Sequence, residues 1–167
     1  MKTDKVKNEE KAASSTGVVV RDETKMKGSL TITEKDAKTG KVLSSETLEN
    51  MVVNNGREQL THLVAGDGAL RYVNRMQYGT GSLAVTNTQT QLQQPITPLK
   101  TVTPTYPTDY QTMFTAILGS ADANGFSITE AALVAADGVM VARRVFAAKN
   151  KLADKILTFD WTLSFAS

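Results

Sequence analysis

Carboxylates are the side chains of this chain best suited to catalysis, but their spacing defines no catalytic group. Glu130, Asp137, Asp154 and Asp160 could meet across strands, as the paired carboxylates of a glycosidase do, although nothing in their spacing requires it. The chain has no cysteine nucleophile, and His62 is its only histidine. No G-x-S-x-G, H-E-x-x-H or EF-hand spacing is present. The sequence therefore predicts a protein that is not an enzyme and has no cofactor or metal.

Two further motifs resemble binding sites only superficially. The Gly79-Thr80-Gly81 motif could cradle a phosphate, but no helix and no lysine at P-loop spacing follow it, so we interpret it as a turn at a strand end. His62 has no second histidine or cysteine to share a metal with, and we interpret it as a structural residue.

The adjacent arginines Arg143 and Arg144 are more informative. Successive strand residues point to opposite faces, so at most one of the two side chains is expected to meet solvent freely. An unpaired buried guanidinium is very costly, so the other arginine must bind a carboxylate or lie at a subunit contact. Glu130 is the expected partner for an ion pair within the chain, and the subunit contact stays open as the alternative.

Composition excludes several classes of protein. The 167 residues carry 19 basic and 17 acidic side chains mixed along the chain, for a net charge of +2, whereas nucleic-acid binders usually concentrate basic charge on one face. No apolar run approaches the roughly 20 residues of a membrane span, and no signal peptide is predicted. The absence of cysteine excludes disulfides. We expect a protein made in the cytoplasm, without nucleic-acid or membrane partners.

The elements that must position these residues are mainly strands. The clearest strand, 154–165, alternates an apolar row of Leu157, Phe159, Trp161, Leu163 and Phe165 with polar residues. A hairpin is predicted from residue 28 to 48, and one helix over 55–65, capped by Asn55 with Glu58 and presenting Leu60, Leu63 and Val64 on one side. Seven or eight strands with short turns predict an antiparallel, jelly-roll-like β-sandwich.

Residues 127–146 give conflicting local signals. Ser127 and Glu130 have capping-box spacing before an alanine-rich run, which favours a helix. Asp137-Gly138 favours a hairpin with a two-residue type I′ turn. Because the other strands need antiparallel neighbours, we predict two strands, 126–135 and 139–147.

Two segments are predicted to lie outside the core. Residues 1–27 have the composition of a solvated tail, interrupted by Val18, Val19 and Val20, which could add a short strand to a neighbouring sheet. We interpret residues 1–27 as an extended assembly arm and residues 28–167 as the β-sandwich domain. Residues 79–98 are predicted to form a polar loop broken by Pro95 and Pro98, with these exposed residues as a candidate interaction surface: Thr86, Thr88, Gln89, Thr90 and Gln91.

The order of the motifs resembles a known class of protein. These motifs are residues 50–56 (NMVVNNG) before a short helix, residues 79–81 (GTG) with a Thr-rich stretch ending at Leu92, residues 128–133 (ITEAAL), residues 141–143 (VAR), Phe146, Lys151 and a final aromatic strand. The chain resembles small structural proteins of tailed bacteriophages, of the type associated with tail fibres, collars and baseplates, over about residues 28–165. It departs from their pattern at Ala132, where glycine is usual, which leaves the backbone there open.

This resemblance implies a non-enzymatic virion component, assembled in the host cytoplasm in many copies. Its partners would be further copies of itself and other virion structural proteins, in the neck or collar, tail or baseplate. A capsid decoration protein is the first alternative. A carbohydrate- or receptor-binding module is the second, and it would need exposed aromatic residues, whereas the few aromatic residues here lie on predicted core faces.

Overall fold

The computed structural model describes residues 25–166, which form two antiparallel sheets and one helix. In chain order the elements are β1 (Lys25–Asp36), β2 (Val42–Glu49), β3 (Met51–Val52), α1 (Asn54–Val64), β4 (Val73–Gly79), β5 (Pro95–Thr101), β6 (Pro104–Thr108), β7 (Gln111–Leu118), β8 (Ser127–Ala135), β9 (Met140–Asn150) and β10 (Lys155–Ala166). The described residues thus hold ten strands rather than the seven or eight predicted.

The sheets have five strands each and pack face to face. We call the sheet with the order β2-β1-β10-β7-β6 sheet I, and the sheet with the order β3-β9-β8-β4-β5 sheet II. The antiparallel β-sandwich predicted from the sequence is confirmed. Because neighbouring strands run antiparallel, residues far apart in the sequence meet on one face, which is how the polar residues of β8 and β9 come together.

Strand β10 is the middle strand of sheet I, as its alternation predicts. It pairs with β1 on one side and β7 on the other. Leu157, Phe159 and Trp161 are fully buried between the sheets, and Leu163 is nearly so. Phe165, the last member of the predicted row, is instead exposed at the end of the strand. The other face of β10 carries its polar residues.

Residues 127–150 form the predicted hairpin, and the helix signal over 128–136 is overridden. β8 and β9 pair along their length, and β9 continues three residues past its predicted end. The type I′ turn was wrong. Gly138 has positive φ but Asp137 does not, and the Ala135 N–H donates to the Val139 carbonyl, so a three-residue loop with one left-handed residue joins the strands. Ala132 lies within β8 with negative φ, so alanine in place of glycine leaves an ordinary strand there.

Helix α1 occurs close to where it was predicted, but its cap and its buried face differ. Val53 occupies the N-cap position in an extended conformation, and no side chain caps the helix, so the predicted cap at Asn55 was wrong. The fully buried positions are Gly56 and Gln59, whereas Val64 is almost completely exposed. Gly56 lies against the backbone of β9, so close that a side chain at this position would overlap the Val141 carbonyl. Within the described residues, no helix is long and apolar enough to cross a membrane.

The four prolines of the chain lie in two edge strands rather than in a loop. Pro95 and Pro98 belong to β5, at the edge of sheet II, and Pro104 and Pro107 belong to β6, at the edge of sheet I. An edge strand tolerates proline because one side of its backbone has no strand to pair with. The predicted loop of residues 79–98 was therefore too long, because residues 95–98 belong to β5.

The first strand begins before the predicted domain boundary. β1 starts at Lys25, three residues upstream of residue 28, and its first residues pair with the end of β10. The rest of the predicted arm, including Val18, Val19 and Val20, lies outside the described residues.

Candidate functional site

The polar centre of the molecule is an ion pair between Glu130 of β8 and Arg143 of β9. Both side chains are 0% exposed. The Arg143 Nη2 and Nε atoms donate to Glu130 Oε2 over 2.7 and 3.0 Å. Cross-strand pairing places Arg143 opposite Ala132, two residues along from Glu130, so both side chains stand on the outer face of sheet II. Arginine and glutamate here form a charge-assisted contact that excludes water.

Residues 80–94, which we call the covering loop, lie over this ion pair and supply the rest of its partners. Glu130 Oε1 accepts hydrogen bonds from the backbone N–H groups of Gly81 and Gln94, over 3.1 and 2.8 Å. Glu130 Oε2 also accepts one from the Gln93 N–H over 3.1 Å. A single carboxylate therefore holds both ends of the covering loop against β8.

The Gly79-Thr80-Gly81 motif proves to be an anion cradle, but its anion is internal. A Cβ atom at Gly79 would lie 2.4 Å from Glu130 Oε1, and one at Gly81 would lie 2.5 Å from the same atom. Only glycine lets the backbone approach the carboxylate this closely. The motif was predicted as a plain turn at a strand end. It does follow the end of β4, and it also binds Glu130.

Arg143 completes the attachment from the other side. Its Nη1 donates to the Leu83 carbonyl over 3.2 Å and to Gln89 Oε1 over 2.7 Å. The Thr129 hydroxyl of β8 adds a bond of 2.8 Å to the Gly81 carbonyl. Beside these polar contacts, Leu92 is buried in a small apolar cluster on the outer face of sheet II. The other members of that cluster are Val53, Ala132, Val134 and Met140.

Opposing effects act on the ionisation of Glu130. Burial raises its pKa, but the hydrogen bond from the Gln94 N–H, followed by the contact with Arg143, lowers it by more. The net pKa lies below the ordinary glutamate value. The carboxylate is therefore charged at neutral pH, as the ion pair requires.

The predicted interaction surface on the loop divides into two parts. Thr86, Thr88, Thr90 and Gln91 are exposed, whereas Gln89 is half-buried and bound to Arg143. Sequence reasoning missed the buried residues of the same stretch, Gly81 and Leu92. Leu92 is the one large apolar residue in a run rich in Thr and Gln. Its position there was the available signal that this loop packs against the sandwich.

The second arginine does not join the ion pair. Arg144 is half-buried, and its Nε atom has no hydrogen-bond partner among the described residues. Of the two arginines, the structure thus brings Arg143 to Glu130 and leaves Arg144 on the opposite side of the strand. Val18, Val19 and Val20 are outside the described residues, so the predicted assembly arm stays a prediction.

The remaining carboxylates each have a different environment. Asp137 accepts a hydrogen bond from Gln59 over 2.8 Å, which ties α1 to the β8–β9 turn. Asp160 accepts one from Thr115 over 2.6 Å, and Asp154 is exposed. His62 lies on the helix with its Nδ1 atom 3.0 Å from Asp67. Among residues 25–166, no three acidic or histidine side chains lie close enough to hold a metal ion.

A buried lysine was also missed by sequence reasoning. Lys151 is fully buried, and its Nζ donates to Asn124 Oδ1 over 3.1 Å and to the Leu152 carbonyl over 2.8 Å. Burial lowers the pKa of this ammonium group, and the nearby Asp122 and Asp154 oppose that effect. Lys151 therefore fastens the connector between β7 and β8 to the start of the β9–β10 turn.

An apolar opening is lined by residues from both sheets and from α1. We call it the apolar groove. It has a volume of about 270 Å³ and lies where β1 begins and β10 ends. Its lining is largely apolar and includes Met26, Leu63, Tyr72, Tyr106, Phe114 and Phe165.

The tyrosines near this groove correct an expectation from the sequence. Aromatic residues were expected on core faces, but Tyr72, Tyr106 and Tyr110 are 51%, 72% and 71% exposed. The Phe165 N–H donates to the Tyr110 carbonyl, so Tyr110 lies beside the groove as well. Tyr78 is the one tyrosine of the four that is buried in the core.

Comparison with known proteins adds no relative to these observations. No protein family, curated protein or solved structure matches this chain. The fold and the site together define an antiparallel β-sandwich whose central polar residues bind one another and the covering loop.

Proposed function

We propose that this chain is a non-enzymatic structural component of a tailed-phage virion, in the neck or collar, the tail or the baseplate. It would act by self-association and by docking to other virion proteins, after assembly in the host cytoplasm. The proposal includes no cofactor, nucleic acid or membrane. A capsid decoration protein is the alternative within the same class, and it would use the same properties on another surface of the particle.

The observation that carries the proposal is the convergence of the motifs on the covering loop. The motifs whose order resembles phage structural proteins supply Gly79, Gly81, Glu130 and Arg143, which meet at one internal contact. They also supply Leu92, which is buried in the small apolar cluster of the same sheet. Residues that contact one another inside the protein stabilise its fold, as a structural protein requires. An enzyme or a ligand-binding protein would direct such residues toward an open cavity.

Two measurements test this proposal. Size-exclusion chromatography with light scattering should show a closed oligomer, such as a ring or trimer, in place of a monomer. Mass spectrometry of purified virions from a host that carries the gene should detect the chain in many copies per particle. A monomer at every concentration, together with absence from virions, would contradict the proposal. A map of the particle would separate the neck, tail and baseplate from the capsid surface.

The exposed tyrosines favour one candidate of a different class, a carbohydrate- or receptor-binding module. Tyr72 and Tyr106 flank the apolar groove, and aromatic faces of this kind can stack on sugar rings. A glycan array should then give hits that Tyr106→Ala abolishes. Phe126→Ala is the matched control, because Phe126 is an exposed aromatic residue that does not line the groove. An array without hits would exclude glycans as the ligand.

A further inference from the structure

The apolar groove leaves several large apolar side chains accessible to water. Phe114 and Val141 are buried at its lining, while Leu63, Tyr72, Tyr106 and Phe165 remain exposed around it. Its accessible lining is mostly apolar. Exposed apolar side chains grouped around a groove, rather than scattered singly, are a candidate place for another segment to bind.

The chain itself contains a segment that fits this surface. Residues 1–24 precede β1, and their one run of three apolar residues is Val18-Val19-Val20. β1 begins at Lys25, and Met26 already lines the groove. Since an extended chain advances about 3.3–3.6 Å per residue, the six residues that lead from Met26 back to Val20 span at most roughly 20 Å. The valine run is therefore tethered within reach of a groove of matching polarity.

We propose that Val18–Val20 of one copy binds in the apolar groove of a neighbouring copy. This inference rests on the self-association proposed above and names its contact. Binding in the chain's own groove would need a reversal within residues 21–24 (RDET), where Asp22 is the one residue of a type common in tight turns and both glycine and proline are absent. Exchange between copies needs no reversal and links each copy to the next.

A sheet edge is the competing site for the same segment. The edges at β5 and β6 carry the prolines, which remove backbone donors and oppose strand addition. The other edge of sheet I, β2, has no proline and is largely exposed. The valine run could thus pair with β2 by backbone hydrogen bonds, which is why β2 must be one arm of the test.

The lack of cysteine makes cross-linking a clean experiment on the full chain. A size-tagged Val19→Cys variant is mixed with untagged Tyr106→Cys or Leu63→Cys, oxidised and run on a non-reducing gel. Disulfides need Cα atoms within about 7 Å, so only a seated segment reacts efficiently. Leu43→Cys on the β2 edge and Leu152→Cys near the opposite end of β10 are the controls, since both leucines are exposed.

The result expected is a tagged–untagged dimer with Tyr106→Cys or Leu63→Cys, in clear excess over both controls. A dimer formed mainly with Leu43→Cys would overturn the inference in favour of strand addition. A double variant, Val19→Cys with Tyr106→Cys, that closes only within one chain would overturn the exchange between copies.

The same preparations separate failure of this inference from failure of the proposed function. If light scattering shows an oligomer but no groove position cross-links, the groove contact is wrong and self-association stands. If the protein is monomeric at every concentration tested, the groove contact and self-association are both wrong. Val19→Ser should weaken the oligomer on the order of tenfold, because valine side chains leave water in the groove. Val6→Ser is the matched change outside the valine run, and it should leave the oligomer unchanged.

Discussion

The outer faces of the two sheets differ in what covers their polar residues. On sheet I, Thr31 and Thr33 of β1 are half-buried and bond to Thr47 and Ser45 of β2 over 2.8 and 3.2 Å, in contacts open to solvent. On sheet II, Glu130 and Arg143 are as buried as the core, under the covering loop. One sandwich therefore has one hydrated face and one face that serves as a second interior.

This difference between the sheets shows under which condition a polar strand residue is buried. Alternation places polar residues on the outer face of both sheets, and on sheet I their contacts are open to solvent. On sheet II the covering loop replaces water, giving Glu130 three backbone N–H donors and one arginine. A buried charge is tolerated only when partners are supplied in this way. The covering loop is therefore part of the folded body, and mutations can separate its contribution from that of the hydrated face.

The largest expected effect is on the ion pair. Arg143→Met leaves Glu130 charged and buried without its cation, and we expect the free energy of unfolding to fall by about 3–5 kcal/mol. Urea unfolding at neutral pH measures this loss. Arg144→Met is the matched control on the next residue, and because Arg144 makes no ion pair among the described residues, its loss should be much smaller. Equal losses in the two variants would contradict the distinction between the arginines.

The apolar anchor of the covering loop should come next. Leu92→Ala removes a fully buried side chain from the small cluster with Val134 and Met140, and we expect a loss of about 2–3 kcal/mol. Leu83→Ala changes the same residue type in the same loop, but Leu83 is 58% exposed, so its loss should stay within about 0.5 kcal/mol. If both leucines behave alike, the loop is a surface feature, as the sequence predicted.

The hydrated sheet is the part that sequence reasoning describes well. A period of two in β10 depends only on neighbouring residues, so its central position in sheet I and its buried row follow from the sequence. On sheet II, cross-strand geometry offered Glu130 as the partner of one of the two arginines without choosing between them, and the structure pairs it with Arg143. The Asp137-Gly138 turn makes β8 and β9 neighbours, which is why that much was accessible from the sequence. These inferences are local or depend on one short turn.

The covered sheet exceeds what such reasoning can reach. The partners of Glu130 in the covering loop lie 36 to 49 residues away, and that loop is rich in Thr and Gln, which favour no particular burial. Gly79 and Gly81 have no side chain from which their contact with the Glu130 carboxylate could be predicted. Similarly, α1 buries Gly56 and Gln59 because β9 approaches the helix there, a contact that helix periodicity alone does not contain.

Acid should loosen the covered face selectively. The pKa of Glu130 is lowered in the folded protein, so its contribution is complete above the ordinary glutamate pKa of about 4.3 and is lost as pH falls through the lower folded value. Stability should therefore decrease on acidification below about pH 4.3. Protection factors of the Gly81, Gln93 and Gln94 amides should fall in the same range, while those of β1 amides change less.

Glu130→Gln provides the control for that titration. It removes the ionisable group at the centre of the covered face, while Asp36 and Asp122, whose pKa values are also lowered, still titrate. The difference in stability between the original chain and the variant should shrink as pH falls. A difference that stays constant from pH 7 to pH 3 would mean that the charge on Glu130 does not hold the covering loop.

The smallest expected effects compare one hydroxyl group on each sheet. Thr129→Val removes the bond to the Gly81 carbonyl under the covering loop, and we expect a loss of about 1–2 kcal/mol, because that carbonyl then lacks a partner. Thr31→Val makes the same nearly isosteric change on the hydrated face, where water replaces the bond to Thr47, so its loss should stay within about 0.5 kcal/mol. Urea unfolding with an unchanged m-value resolves the two. A larger loss at Thr31 than at Thr129 would show that the hydroxyl contacts of sheet I, rather than the covering loop, contribute more to stability.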